Sequence, residues 1–526
     1  MNYFIPSWYG DHPAQWGSPS QEFQWGYHVM EFDDTINQVR MFIRFQEPTC
    51  LLTLGYFPGL RHLFHRQDLM QVKVLNLFDQ MQGIPANQPT IEINYRDWDW
   101  PKDCEFVHSG AGTFIYRGND VYAVLHYEIE GNLIQVERRQ AGQPLKNLIF
   151  DDRGFLSSVE YFENGQFSHH DFLMPNGDVA FRLQADQSVM VMVPDQLPMQ
   201  ELVYPNIAAM VNESLATFAD QQLAENDLVV VASNPQHSSL VIDNLSKAHV
   251  ILSFFENQNQ TITEAEIEQA SKANLLVVNA DFQKDQLGQH GLTNVVVTPP
   301  FDSRLNLGTS MQEEHFKVLL LVDQLSDQEL QRALTTLLHF MEQNALVDLI
   351  ICTIQDDRYE AVKSCLKFLS QQVDWKYDYQ FDVKEEDRGG NDLDDDDDLD
   401  DDLKVEQKKV RYIDFAGINS EPHLIEVIDP MRVVIDLAPH PNSYLQIAAI
   451  SSGIPQINQV ANSYVVSGKN GLILNDDLNL TAALHFYLDG LKNWNEALVY
   501  AVEKIGQYTS GQIVNEWLRR AGDNHG

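Results

Sequence analysis

The chain has 526 residues, which corresponds to three to four domains at ~150 residues each, and its 44% hydrophobic content can supply packed cores. Its 35 basic and 76 acidic residues give a net charge of −41. This balance argues against nucleic acid as a main partner and against a polybasic membrane anchor, because both need clustered Lys and Arg.

The first 90 residues alternate between short apolar runs and helical stretches, a pattern typical of an α/β unit. The predicted elements are a strand at Tyr3–Pro6, an aromatic loop over 7–26, a helix over Thr35–Phe45, a strand over Cys50–Leu54 and a helix over Leu60–Leu69. Residues 1–90 are therefore predicted to form the first part of a Rossmann-like domain.

Alternating β-type runs separated by glycine-containing turns extend over Phe114–Leu183. Turns that end at Gly154, Gly165 and Gly177 recur at spacings of 11 and 12 residues. Two of these turns are Asn-Gly pairs, which are a strong hairpin signal between alternating apolar runs. The pattern predicts an antiparallel β-meander inserted over residues 91–190.

An α/β rhythm returns after the meander, and apolar runs that alternate with helices predict buried parallel strands. In residues 191–305 the predicted strands are Leu228–Ala232, His249–Phe254, Leu275–Asn279 and Val295–Thr298. In residues 306–520 they are Phe316–Val322, Leu346–Thr353, Val410–Phe415, Val433–Leu437, Pro455–Asn458 and Gly471–Leu474, with helices from Leu480 to Arg520. We predict a discontinuous Rossmann-like domain over 1–90 and 191–305, and a second one over 306–520.

An acidic tract interrupts the second domain, with twelve acidic residues and one arginine between Glu385 and Asp402. The tract lacks the glycine and the terminal glutamate of a calcium loop. The pattern favours a solvated, self-repelling loop that is disordered over 384–404. A site for cations or for a basic partner is the alternative.

The compartment is predicted from features that the chain lacks. Its four cysteines match no zinc, redox or disulfide spacing, and no basic residue precedes Arg40, as a secretory signal would require. No uninterrupted apolar run approaches ~18 residues. We therefore predict reduced thiols in a cytoplasmic protein that lies at the inner face of the cell membrane only peripherally, through partners.

Two facing Rossmann-like domains, the first interrupted by a β-meander, resemble the GT-B architecture of glycosyltransferases. Three segments are more particular: MNYFIPSWY at Met1–Tyr9, VRMF at Val39–Phe42 and RHLFHRQ at Arg61–Gln67. With these segments the chain resembles the first of the accessory secretory proteins of the accessory Sec system. The likeness runs over the full length and includes Ser451–Pro455.

The resemblance implies a cytoplasmic, GT-B-like protein without glycosyltransferase activity, cofactor or metal. It implies association with the second and third accessory secretory proteins and with the accessory Sec ATPase. The expected function is a non-catalytic one, in which the chain helps to recognise a glycosylated serine-rich repeat adhesin and to deliver it for export. The alternative is an active GT-B glycosyltransferase that modifies the adhesin from a nucleotide-sugar donor, and an unrelated acidic scaffold is a third hypothesis.

Two features of the sequence favour the loss of catalysis. In GT-B enzymes the donor diphosphate needs positive charge after the first strand of the second domain, but Val322–Glu329 carries three acids and no basic residue. Like charges a few ångströms apart cost ~1–4 kcal/mol, depending on the effective dielectric constant. Retaining enzymes often place two glutamates before a Gly-x-Pro, but the corresponding positions before Gly453 are His440 and Ala448.

The remaining candidates in the cleft are His440, Asn442 and Ser443. His440 could contact a sugar, and Asn442 or Ser443 is predicted to cap a helix so that its free backbone amides point into the cleft. The alternative is that these residues only cap the helix and line the cleft.

The aromatic N-terminal loop is a second candidate, because the aromatic faces of Trp8, Tyr9 and Trp16 suit the apolar face of a sugar ring. Asp11 and His12 in the same loop are candidates for a vestigial acid–base pair. A local aromatic core, or an interface with a partner, is the competing interpretation.

A basic cluster at helical spacing is a candidate for contact with an anionic ligand or an acidic partner. Its members are Arg61, His62, His65 and Arg66. A solvated helix face or structural ion pairs are the alternative. His169 and His170 in the meander are predicted to be a surface pair, since no third metal ligand can be identified.

Overall fold

The computed structural model describes residues 1–10, 16–17, 33–256, 259, 261–354, 358–381, 383, 408–475 and 478–523. Within these ranges the chain forms two parallel seven-stranded sheets and one antiparallel ten-stranded sheet. The predicted α/β fold, with an antiparallel β-meander beside two parallel sheets, is confirmed. The acidic loop predicted over 384–404 lies outside the described residues.

The strands are numbered in chain order. They are β1 (Asn2–Ile5), β2 (Thr49–Thr53), β3 (Lys73–Asn76), β4 (Cys104–Ser109), β5 (Gly112–Arg117), β6 (Asp120–Tyr127), β7 (Leu133–Gln140), β8 (Gln143–Phe150), β9 (Leu156–Glu163), β10 (Gln166–Leu173), β11 (Val179–Gln184), β12 (Val189–Val191), β13 (Val203–Tyr204), β14 (Leu228–Ala232), β15 (His249–Phe254), β16 (Leu275–Val278), β17 (Val295–Val297), β18 (Phe316–Leu321), β19 (Val347–Thr353), β20 (Asp378–Phe381), β21 (Val410–Gly417), β22 (Met431–Asp436), β23 (Gln456–Asn458) and β24 (Gly471–Ile473).

The α-helices are numbered in the same way. They are α1 (Asp34–Arg44), α2 (Leu60–Arg66), α3 (Leu77–Met81), α4 (Ile207–Gln222), α5 (Ser238–Leu245), α6 (Glu264–Ala270), α7 (Asp281–Gln289), α8 (Asp327–Gln343), α9 (Tyr359–Gln372), α10 (Glu421–Ile428), α11 (Ser443–Ser452), α12 (Leu480–Leu488), α13 (Leu491–Ile505) and α14 (Ser510–Asp523).

The first parallel sheet has the strand order β17-β16-β15-β14-β1-β2-β3, so it combines strands from before and after the meander. Successive side chains of a strand point to opposite faces of the sheet. Phe4 and Val230 pack into one core cluster, whereas Ile5 and Val231 pack into another. Both faces are therefore covered, which explains why the sequence shows continuous apolar runs here rather than alternation.

The antiparallel sheet runs from β13 to β4, and each strand pairs with its neighbour in the chain. It is longer than predicted, because β4 precedes Phe114 and β12 and β13 extend the sheet to Tyr204. β12 and β13 have three and two residues, too few to show an alternating pattern. The turn at Gly154 (φ +85°) needs glycine, since a Cβ there would lie 1.6 Å from the carbonyl oxygen of Ile91.

The antiparallel sheet shares a core with the first parallel sheet. Phe172 of β10 and Phe181 of β11 are fully buried in the same cluster as Phe78 of α3. The Phe78 ring lies 5.8 Å from the Phe172 ring and 6.3 Å from the Phe181 ring. The base of the meander is therefore part of the first α/β unit, whereas residues of β5 to β8 also form a separate core cluster.

The second parallel sheet has the order β20-β21-β19-β18-β22-β23-β24. The predicted strands are all present, and β20 is an additional strand that was not predicted. β20 has four residues, none of them buried, and it forms an edge of the sheet. A short, half-exposed edge strand lacks the apolar run that identified the others.

The last helix, α14, returns to the first α/β unit. Trp517 is fully buried there, and its ring lies 5.9 Å from the ring of Phe42 in α1. Its indole N–H donates to Oγ1 of Thr298 at 3.1 Å. The end of the chain thus ties the second unit to the first. No helix in the described ranges is both long enough and apolar enough to cross a bilayer.

The prediction of a surface His169–His170 pair is wrong for His170. His170 is buried, and its ring stacks on Phe172 with a centroid distance of 4.1 Å. Strand alternation separates the two residues, since His169 stacks instead on Tyr161 at 4.5 Å and stays half-exposed. Burial lowers the pKa of His170 to about 3, so the imidazole is neutral in the folded protein.

This burial predicts acid sensitivity. An unfolded histidine titrates near its ordinary pKa of ~6.5, so the unfolded state gains protons first and stability falls as the pH drops below that value. Between pH 7 and pH 5 the wild type should lose about 2 kcal/mol more unfolding free energy than His170→Phe. Urea unfolding at both pH values measures the difference. His169→Gln is the control, and equal losses in wild type and His170→Phe would contradict the assignment.

Candidate functional site

The two α/β units contact each other at the carboxyl ends of their parallel strands, and this interface is called the cleft below. Residues that follow β15 and β16 contact residues that follow β22 and β23. In open α/β sheets this edge is where ligands bind, because the loops and helix N-termini converge there. The cleft is therefore the first place to examine for a functional site.

Helix α11 begins in this cleft, as predicted. Asn442 is its N-cap, and its side-chain oxygen accepts a hydrogen bond from the Leu445 amide at 3.0 Å. Asp436, at the end of β22, folds the preceding loop by accepting the Asn442 amide at 2.7 Å and the Ala438 amide at 3.0 Å. The strand, the loop and the cap fix the position of the helix N-terminus.

The amide of Ser443 does not point freely into the cleft, which corrects the prediction. Glu256, from the opposite α/β unit, accepts both the backbone N–H of Ser443 at 3.1 Å and its hydroxyl at 2.5 Å. Glu256 and Ser443 are both buried. The positive end of α11, which could bind an anionic ligand, is instead occupied by a carboxylate of the protein itself.

A second acid of the first unit, Asp34, contacts α11 beside Glu256. The Tyr444 hydroxyl donates to Oδ1 of Asp34, the first residue of α1. Asp34 and Tyr444 are both buried. The first two residues of α11 are therefore both held by acids of the first α/β unit.

The remaining contacts across the cleft involve α7 and the residues that precede it. The amide and the hydroxyl of Ser463 each donate to Asp281 at 2.5 Å, and the Tyr464 hydroxyl donates to the carbonyl of Asn279 at 2.6 Å. His440, the candidate for sugar contact, lies with its ring 4.2 Å from the ring of Phe282. These bonds hold the two units in contact along one side of the cleft.

The acids in the cleft have unusual protonation equilibria. Burial raises the pKa of Glu256 to about 7, although its bonds to Ser443 act in the opposite direction. Burial also raises the pKa of Asp436 to about 7, and it raises that of Asp34 well above the ordinary range. Because the cleft is lined by buried carboxyl groups rather than by cations, it is unsuited to a diphosphate.

The loop after β18 has one cation that the local sequence did not reveal. Asp323 accepts the Ile354 amide at 2.9 Å, and Glu329 forms a capping box with Ser326 at the start of α8. Arg358, which precedes α9, reaches this loop and pairs with Asp327 at 2.7 Å. The guanidinium is therefore already neutralised by an acid of the loop.

The aromatic candidates lie in local contacts of the first unit. Trp8 donates its indole N–H to Asp33 and packs on Phe57, and Trp16 is buried. Tyr9 lies beside Trp16 with a ring distance of 5.6 Å. Asp11 and His12 lie outside the described residues. The structure places Tyr9 and Trp16 together in one core cluster and Trp8 against another, and the role of the three rings in binding stays a prediction.

A Tyr–His pair with a buried histidine was missed by the sequence analysis. The Tyr9 hydroxyl lies 2.7 Å from Nδ1 of His237, and Nε2 of His237 lies 2.8 Å from the carbonyl of Ala232. Nε2 is therefore the donor, and Nδ1 accepts from Tyr9. Burial lowers the pKa of His237 to about 4. The two residues are 228 positions apart, so no local pattern could have joined them.

The basic residues of α2 contact several different partners, and their role in binding an anionic ligand or an acidic partner stays a prediction. The backbone amides of Arg61 and His62 donate to Asp152 at 2.5 and 3.2 Å, and His65 pairs with Glu130 at 3.1 Å. These acids lie in turns of the antiparallel sheet. Arg66 lines a separate cavity that also contains arginines of α1. No cluster of three or more His, Cys, Asp or Glu suited to a metal occurs in the part of the chain described here.

Comparisons with known proteins give a consistent result. The family model for the accessory Sec system protein called accessory secretory protein 1 matches residues 1–521. The family member from Streptococcus gordonii is 32% identical over 535 residues, and the match covers 98% of each chain. The member from Staphylococcus aureus is 31% identical over 525 residues, again with 98% of each chain covered.

Solved structures extend this result. One chain of the Glycosylation Associate Protein complex (Gap123) from Streptococcus agalactiae is 30% identical, with a TM-score of 0.77 and coverage of 99% of this chain and 100% of that one. A chain of the complex of accessory secretory proteins 1, 2 and 3 from Streptococcus pneumoniae is 27% identical, with a TM-score of 0.77 and 99% of each chain covered.

A glycosyltransferase is also similar in structure. The pneumococcal O-GlcNAc transferase GtfA, solved with UDP and GlcNAc, has a TM-score of 0.68 over 100% of this chain and 99% of its own, at 12% identity. At that identity the match shows a shared fold alone. It confirms the predicted GT-B architecture, and the activity has to be argued from the cleft residues.

The raised pKa of Glu256 predicts a pH-dependent stability. Below the ordinary pKa of 4.5 the Glu256 carboxyl is protonated in both the folded and the unfolded protein. As the pH rises to 7, the carboxyl ionises in the unfolded chain but stays largely protonated in the folded protein. Stability should therefore fall over this range. Glu256→Gln keeps an acceptor for Ser443 without the charge, and should be more stable than wild type at pH 8 by about 3 kcal/mol.

Urea unfolding at pH 5, 6, 7 and 8 measures this effect. Glu264→Gln, on the exposed first turn of α6, is the matched control and should follow the wild type. A constant difference between Glu256→Gln and wild type at every pH would show that Glu256 is ionised in the folded protein throughout, and would contradict the assignment.

Proposed function

The chain belongs to the accessory secretory protein 1 family of accessory Sec system proteins, and we propose that it is a non-catalytic component of the export machinery. In this role it assembles with companion proteins and delivers a glycosylated serine-rich repeat adhesin to the accessory Sec ATPase. The cleft supports the non-catalytic part of the proposal, and the relatives support the assembly.

The observation that carries the proposal is the carboxylate of Glu256 at the N-terminus of α11. A donor diphosphate would need the amides and the positive end of this helix. To bind there, it would have to displace a buried carboxylate and then lie among Asp34, Asp323 and Asp436. None of these acidic side chains supplies the positive charge that a diphosphate needs, so one substitution would not restore the site.

An active glycosyltransferase is the alternative function, and the shared GT-B fold is its only support. Ala448 and His440 stand where retaining enzymes have glutamates, and Ala448 is fully buried in α11. His440 lies against Phe282 of the facing unit. Among the residues that the structure describes, the cleft thus offers no glutamate at either of these positions, and Arg358 is paired with Asp327.

Companion binding is supported by what the similar chains belong to. The relatives from Streptococcus agalactiae and Streptococcus pneumoniae were solved as complexes, and each matches 99% of this chain. We propose that this chain binds companions in the same manner, and that the distal antiparallel sheet supplies a contact. β4 is an exposed edge strand of that sheet, and its Phe106 and Val107 side chains are 37% and 48% exposed. A free strand edge can accept a partner strand.

We propose a cytoplasmic location with membrane contact only through these partners. The net charge of −41 would repel an anionic lipid surface, which opposes direct attachment. Recognition of the adhesin and delivery to the ATPase rest on the family relationship. The aromatic residues Trp8, Tyr9 and Trp16 remain the candidates for glycan contact.

The absence of catalysis can be tested directly. The purified chain is incubated with radiolabelled UDP-N-acetylglucosamine and a serine-rich acceptor peptide, with and without magnesium, and both transfer and donor hydrolysis are counted. We expect neither above background, because the donor site lacks its charges. The pneumococcal transferase GtfA is the positive control. Catalytic transfer by this chain would overturn the proposal in favour of the enzyme.

The companion surface can be tested with edge-strand variants. Val107→Lys places a charge on the exposed edge strand β4 and should lower the recovery of co-expressed companions ~10-fold. Val203→Lys is the matched control, because Val203 is 57% exposed in β13 at the opposite edge of the same sheet. Equal recovery with both variants would place the companion surface elsewhere. Deleting the whole meander is unsuitable, because Phe172 and Phe181 belong to the shared core.

A further inference from the structure

A second cavity lies between the two α/β units, away from the helix start at Ser443. It has a volume of about 430 Å³, and its lining residues include four arginines. Arg40 and Arg44 come from the second half of α1, Arg66 ends α2, and Arg304 lies in the connection between the two units. We call this cavity the arginine pocket. Its Arg44 is ten residues from the cleft residue Asp34 along α1, or about 15 Å.

Two buried carboxylates orient the arginines. Asp302 accepts a bond from Arg44 and lies 3.4 Å from Arg304, whereas Glu421 lies 3.2 Å from Arg304 and 3.9 Å from Arg40. The side chains of Asp302 and Glu421 are only 9% and 5% exposed. Arg44 and Arg304 are 40% and 45% exposed, so the acids lie below the guanidinium groups and the cations face the solvent.

The guanidinium groups of Arg44 and Arg304 carry more N–H donors than their bonds to the carboxylates use. A guanidinium carries five N–H donors. Arg44 uses Nη1 for Asp302, and Arg304 uses Nη2 for both carboxylates. Among the described residues, no hydrogen bond joins the other nitrogens of these two side chains to a protein acceptor. More of the N–H donors of Arg40 are bonded within the protein, because its guanidinium group also donates to Gln67 and Asn37. These bonds fix its position.

The pocket is locally cationic in a strongly acidic protein. Four guanidinium groups line it against Asp68 and Glu421, and Asp302 below Arg44 and Arg304 is the third acid, so the local balance is positive although the whole chain carries a net charge of −41. Helix α10 also begins at the pocket, with Ser420 as its N-cap, so its positive end adds to the potential. The charges of the pocket therefore favour an anion.

We propose that the arginine pocket binds a phosphate group, either as free phosphate or as part of a small phosphate ester. Arginine forks match the geometry of phosphate oxygens and bind them with paired hydrogen bonds. The cavity is large enough for a phosphate with a small substituent. This site is independent of the donor cleft and of the proposed function, because it uses none of the residues around Ser443.

Binding would link elements of both units. The phosphate would lie among Arg44 of α1, Arg304 of the connection and the start of α10 in the second unit. A ligand that contacts both units in one arrangement stabilises that arrangement by mass action. Phosphate should therefore raise the thermal unfolding midpoint of the chain, and this effect should depend on Arg44.

Calorimetric titration of the full chain with inorganic phosphate, pyrophosphate and glycerol 3-phosphate, at constant ionic strength, tests the proposal. We expect saturable binding with a dissociation constant of ~1 mM or tighter for at least one of them. Arg44→Gln should weaken it ~10-fold or more. Arg117→Gln, which removes an exposed ion pair in the antiparallel sheet, should leave it unchanged.

Arg44→Lys provides the test if Arg44→Gln fails to fold, because it keeps a charge near Asp302 but removes the fork. It should bind more weakly than the wild type. No saturable binding of any of the three anions up to ~10 mM, or unchanged affinity in the Arg44 variants, would overturn the proposal. Preference for an ester over free phosphate would identify the ester as the ligand. Neither result bears on sugar transfer, so the two proposals fail separately.

Discussion

The bond between Glu256 and the N-terminus of α11 is the interaction on which the rest of the cleft depends. A helix that begins at the carboxyl edge of a parallel sheet presents unpaired backbone amides and a partial positive charge. These amides need a hydrogen-bond acceptor, and the charge favours an anionic or acidic one. In a donor-binding enzyme the ligand can satisfy them. Here a side chain of the facing unit does so at 3.1 Å from the Ser443 amide, and the same bond that removes the anion site also joins the two units.

The placement of charge differs on the two sides of the interface between the units. In the cleft, Asp34, Glu256 and Asp436 are buried, and hydroxyl or amide donors hold them. In the arginine pocket the carboxylates Asp302 and Glu421 are also buried, but they hold guanidinium groups that face outward. Buried acidic side chains therefore fix the positions of their hydrogen-bond donors both in the cleft and in the arginine pocket. In the arginine pocket the guanidinium donors are accessible, and this is why the anion site is assigned to that side.

The sequence was sufficient for the central strands of the parallel sheets and insufficient for some of their edge strands and for the site. Central strands such as β14 and β15 are continuous apolar runs because both of their faces are covered, and this signal survives in a single sequence. The edge strand β20 and the short strands β12 and β13 carry no such signal. Asn442 could be predicted as a helix cap from local pattern, but its neighbour Ser443 binds a residue 187 positions earlier, and no spacing rule reaches that far.

The fold can persist while its chemistry changes, because the two depend on different residues. The sheets are held by buried apolar side chains, as the 0% exposure of Ile251 and Val433 shows, and such cores tolerate many hydrophobic substitutions if volume and pattern are kept. The chemistry of a strand-end site depends on a few polar groups, and here Glu256 already accepts the Ser443 amide that an anionic ligand could use. A TM-score of 0.68 at 12% identity shows that the scaffold keeps its shape while most of its residues differ.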